Sequence, residues 1–164
     1  MDAQTKKKIF DNLDVIGSLI MVVALFLGAF YKDNGGAYAT SYTYPGYKII
    51  FNSNYMLGTL LIALPIIVLI TNYVDALKKY DKIIKILLPA ITLIFVFVLK
   101  GQVADSVGED TGAILSFAMG GWIYLLGNAV ALIAGAVGFF NVDLEKKSEE
   151  LTHNARTRSE RHQK

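Results

Sequence analysis

The stretch GAILSFAMGGWIYLLGNAVALIAGAVGFF, residues 112–140, carries no ionisable side chain other than one tyrosine. As a single helix it would run about 43 Å at 1.5 Å per residue, against a hydrocarbon layer of about 30 Å. Runs of this length are the mark of a membrane span, because an ionised side chain at the bilayer centre costs about 2.5–3.5 kcal/mol even on the mildest insertion scale. Its excess length predicts that the helix tilts and protrudes, or that the pair Gly120-Gly121 bends it.

Working outward, three further apolar segments precede it. Residues 83–99 form the shortest, which requires Lys85 to snorkel toward the headgroups and places Pro89 within the first two turns. Residues 56–73 carry Pro65 in the middle, where a neighbouring helix or hydroxyl has to satisfy the carbonyl that proline leaves free. Residues 12–31 hold nothing acidic or basic from Val15 to Phe30. With 54% hydrophobic and only 18% charged residues, the expected fold class is an all-α membrane protein. A four-helix transmembrane bundle would occupy residues 1–140, followed by a charged, partly disordered cytoplasmic tail over 141–164.

Between the first two segments lie Gly35-Gly36, then Tyr38, Tyr42, Tyr44 and Tyr47 around Pro45-Gly46. Aromatic and small polar residues alternating about a turn predict a short β-hairpin at the membrane surface, the alternative being an irregular loop with interfacial tyrosines. These four tyrosines make the candidate partner surface of the outer loop.

Lysine and arginine collect on the cytoplasmic side of a membrane. Lys6–Lys8, Lys78, Lys79, Lys82, Lys85 and six residues of the tail fall on one side, thirteen in all, and only Lys32, Lys48 and Lys100 on the other. The expected location is therefore the cell membrane, multi-pass, with both termini cytoplasmic. A competing reading takes the first segment as a secretory signal cleaved after Ala37-Tyr38-Ala39. Against it, that apolar run is as long as a full span and the small residues lie well past its end.

Few residues offer chemistry. There is no cysteine, hence neither a disulfide nor a cysteine zinc site, and no Asn-x-Ser/Thr sequon; both fit a bacterial inner membrane. His153 and His162 sit in the tail with nothing to pair with. Asp105, Glu109 and Asp110 share a short loop and read more simply as solvated than as a cation site. No intramembrane carboxylate, histidine or arginine marks a proton or ion path. No catalytic, metal or cofactor residues are expected, and a net charge of +2 gives no reason to expect nucleic acid. Asp11 and Asp14 read as acids complementing the dipole at the start of helix one.

Contact surfaces are more plentiful. Gly112, Ser116 and Gly120, and again Gly127, Ala131 and Gly135, recur every four residues, as helix-packing stripes do in lipid. Packing within the bundle is favoured over a subunit contact, with Ala24 and Gly28 of helix one as the complement. Asn128 lies deep in the last helix and calls for a partner such as Thr59, Thr92 or a backbone carbonyl.

The ground plan of inner N-terminus, larger and partly β-structured first outer loop, short inner turn, short outer loop and inner tail resembles the claudin-like four-helix plan. Gly120-Gly121-Trp122-Ile123-Tyr124-Leu125-Leu126-Gly127 is similar to the last helix of small, mostly uncharacterised bacterial four-span membrane proteins, some carrying a zinc ribbon. The likeness spans residues 12–140 and implies a shared plan only. The chain lacks the cysteine pair and tryptophan signature of claudin outer loops, so no barrier function carries over. The expected role is a non-enzymatic accessory, assembly or interaction protein, in contact with lipid and with a membrane-protein partner or further copies of itself. Rival expectations are a channel or small-solute transporter subunit, and a toxin-immunity or stress-response protein.

Overall fold

A computed structural model describes residues 9, 12–33, 42–52, 55, 57–107 and 115–140. Tyr38, Glu109, Asp110, Gly112, both histidines, the first lysines, the Ala37-Tyr38-Ala39 site and the tail all lie outside them. The elements run α1 (Leu13–Ala24), β1 (Ala29–Asp33), β2 (Thr43–Pro45), α2 (Gly46–Ile50), α3 (Leu60–Thr71), α4 (Asp75–Lys78), α5 (Asp81–Val107), β3 (Leu115–Phe117) and α6 (Met119–Phe139). The fold is mostly helical, with a small antiparallel sheet in the order β2-β1-β3. α5 and α6 are long and apolar enough to cross a membrane; α1 and α3 are apolar but only 12 residues each.

α6 packs against α1 and α5, and α3 touches both from the other side, so the four close a ring. The start of α1, the end of α3, the start of α5 and the end of α6 meet at one end. At the other end the sheet ties together the segments that leave α1, enter α3 and enter α6.

Several boundaries differ from the sequence expectation, each for a local reason. Helix one was expected over 12–31 but stops at Ala24, because Gly28 takes φ +67° and turns the chain into β1. The 29-residue last helix begins instead at Met119. Ser116 pairs with Lys32 and Phe117 with Tyr31 in the sheet, and the Ala118 N–H donates to the Phe30 carbonyl. Neither tilt nor a bend at Gly120-Gly121 is needed for α6, and Ser116 is no part of a helical stripe. The segment expected over 83–99 is the longest described helix, since Leu99 and Val103, spaced by four, continue an inward face beyond the apolar run. Pro89 therefore lies deeper than its first two turns.

The hairpin about Pro45-Gly46 is also replaced. Strands do form, but β2 pairs with β1, and residues 46–50 are helical because Gly46, Ile49 and Ile50, at helical spacing, are the buried ones. Two strands alone are marginal in water, and a third from the other loop completes this sheet.

Candidate functional site

Large apolar side chains cover much of the surface of this molecule, while several polar side chains lie within an otherwise apolar core. The large apolar residues Ile94, Leu126 and Ile133 are exposed at 60%, 65% and 58%, while Ser18, Thr71, Thr92 and Asn128 are at most 1% exposed. Only 22% of the most apolar part of α5 is buried, and 28% of that of α6. A core helix of a soluble protein would be mostly covered.

The polar interior is built in three levels. At the end away from the sheet, Lys85 Nζ lies 2.9 Å from Asp14 and 2.9 Å from Asp81, and donates to Asn72 Oδ1 at 2.6 Å. Asn72 Nδ2 donates in turn to Asp14 at 3.4 Å. One cation thus joins α1, the cap of α3 and α5. Lys85 does not snorkel; the acids hold it inward, and Asp14 serves as its counter-ion in addition to sitting in the first turn of α1. Sequence reasoning missed this cluster, although a lone lysine and a lone aspartate at the same end of two apolar segments were its signal.

At mid-height the two proline positions and the glycine stripes interlock. Pro65 has no N–H for the Leu61 carbonyl four residues back, and the Tyr124 hydroxyl of α6 donates to that carbonyl at 2.6 Å. Pro89 similarly frees the Lys85 carbonyl, which lies against Gly135 so closely that no Cβ could fit. Asn128 Nδ2 donates to the Pro89 carbonyl at 3.0 Å, a backbone partner as its depth required. Thr92 instead bonds Leu88 and Thr59 bonds Ile50.

Gly127 and Ala131 face α1. A Cβ on Gly17 would meet the Ala131 nitrogen at 2.6 Å and the Gly127 oxygen at 2.7 Å, so the two backbones are in direct contact. Gly120 backs onto the carbonyls of Ala24, Leu27 and Ala29. The complement of the stripe is thus Gly17 with Ala24; Gly28 belongs to the turn beyond. All the described stripe glycines contact the same chain.

At the sheet end Phe30, Tyr31, Phe117, Phe97 and Trp122 form a linked aromatic layer. The Tyr31 hydroxyl donates to the Val96 carbonyl at 2.7 Å, and Lys100 Nζ stands 5.2 Å from the Phe117 ring. Of the candidate tyrosines, Tyr42 and Tyr47 are exposed at 60% and 43% and Tyr44 is half-buried. Partial burial and the Asp33 carboxylate push the Tyr44 phenol up. Among the described residues no group of three or more His, Cys, Asp or Glu is placed to hold a metal ion. No family model, curated protein or solved structure matches the chain.

Proposed function

We propose that this is an integral membrane protein in which α1, α3, α5 and α6 all cross the bilayer, with the sheet outside and both chain ends and the α4 connection in the cytoplasm. It acts without catalysis, as an accessory or assembly subunit that presents its sheet end to a membrane-protein partner. The observation that carries the reading is the exposure of large apolar side chains along α1, α3, α5 and α6, around an interior in which Lys85 is paired with Asp14 and Asn128 bonds a backbone carbonyl. Lipid is the medium in which that arrangement lowers free energy, since an exposed leucine costs nothing there and an unpaired polar group costs several kcal/mol.

For the partner surface the support is exposure of Tyr42, Tyr47 and Phe51 around β2 and α2, where aromatic residues also suit a headgroup boundary. A photo-crosslinking residue at Tyr42 or Tyr47 tests it. A discrete adduct, lost on replacing the neighbouring aromatic residues by serine, is the expected result; labelling of lipid alone removes the partner. The rival, a conducting subunit, would need a path between copies, because Met21, Val96, Leu99 and Tyr124 fill the interior at no more than 1% exposure. Ion or solute flux through vesicles containing the purified chain would favour it.

A further inference from the structure

The charged groups that bound the apolar layer lie closer together than an ordinary bilayer is thick. One boundary is the cluster of Asp14, Asn72, Lys85 and Asp81, which is one-third exposed at Asp81, with Gly135 of α6 backed onto the Lys85 carbonyl at the same height. The other is the sheet, with Lys32 and Asp33 in β1, Lys100 over Phe117 of β3, and Gly120 against the backbone where α1 ends. The chain carries its own rulers between them. Along α5, Lys85 to Lys100 is fifteen residues, about 22 Å; on α6, which carries no charge and runs on to Phe139, Gly120 and Gly135 back onto those same two levels about 22 Å apart. Along α3, from the cap Thr59 to the cap Asn72 is thirteen residues, about 20 Å. α1 is shorter still.

Between the two boundaries residues 15–28, 59–71, 86–99 and 121–134 contain no Asp, Glu, Lys, Arg or His. Neither boundary can move outward. Lys85 is held by three partners on two other helices and its own, and a sheet at the outer limit cannot sink into hydrocarbon, where open backbone has no partner.

Resting on the reading of the chain as membrane-spanning, we propose that it is matched to a hydrocarbon layer about 22 Å thick, roughly a quarter thinner than the usual 30 Å, and that it selects or creates thin bilayer around itself. The lipid partner is accordingly one with short or disordered acyl chains. α5 continues past Lys100 as an amphipathic arm in water, which its Gln102, Asp105 and Ser106 suit.

The test is reconstitution into phosphatidylcholine vesicles with monounsaturated chains of about 14 to 22 carbons, following incorporation and the lifetime of the folded chain under heat. The lifetime is expected to be longest at the shortest chains and about tenfold shorter at the longest, since mismatch costs a fraction of a kcal/mol per ångström. Lys100→Leu removes the outer charge of α5 alone and should leave the optimum in place, because the sheet with Lys32 still sets that boundary. An optimum at the longest chains, or a flat profile with normal incorporation, overturns the proposal while leaving the membrane reading intact. Failure to incorporate at every thickness overturns both.

Discussion

Tyr124 is the residue whose role is most sharply defined, since its hydroxyl replaces a bond that Pro65 withdraws from Leu61. Tyr124→Phe should lower stability by about 0.6–1.7 kcal/mol, the range of interhelical hydrogen bonds in membranes. The diagnostic is the double mutant with Pro65→Ala, which lets α3 restore its own bond; unfolding in mixed micelles should then show the tyrosine mutation costing markedly less. Equal cost in both backgrounds would detach the hydroxyl from the proline. Gly28 supplies a second residue-scale expectation: its φ of +67° makes Gly28→Ala cost about 1–2 kcal/mol although nothing lies within 4 Å of a new Cβ. Gly101→Ala, equally open but within a helix, should instead stabilise by about 0.5–1 kcal/mol.

At the scale of elements, the α1–α6 seam and the Lys85 cluster hold the helices in register. Gly127→Leu or Gly17→Leu places a side chain where backbone atoms already touch, so each should destabilise by about 3 kcal/mol, the upper end of ordinary overpacking. Lys85→Met leaves Asp14 buried without its cation and should cost about 2–3 kcal/mol, discounted from the fully buried case because Lys85 is partly exposed. Lys85→Met with Asp14→Leu should recover most of that loss; a double mutant as unstable as the single would mean the cluster does not act through charge. Element ends were the least legible part of the sequence. Period and apolarity located α1, α3, α5 and α6, yet composition alone continued helix one through Phe30 and Tyr31 and began the last at Gly112. What decides those ends is pairing between Tyr31 and Phe117, 86 positions apart, which no local pattern carries. The same non-local logic hid the Asp14–Lys85 pair, whereas Asn128 and Gly127 were legible because a deep polar group or a small-residue stripe has few physical uses in an apolar helix.

For the whole molecule, the exposed apolar helix faces and the gathering of the sheet at one end and the ion cluster at the other support the proposed reading, in which the helices face a slab of hydrocarbon around an apolar core of their own. On that reading the lysine distribution would orient the slab, with Lys78, Lys79 and Lys82 beside the cluster and Lys32, Lys48 and Lys100 beside the sheet. The chain has no cysteine, so single cysteines can be introduced at Tyr42 and Asp105 on the sheet side and at Lys79 on the other, each a position exposed in the fold. With a membrane-impermeant maleimide on intact cells, the account predicts labelling at Tyr42→Cys and Asp105→Cys at once, and at Lys79→Cys only after lysis. Labelling of Lys79→Cys in intact cells, or protection of the other two until lysis, would contradict it.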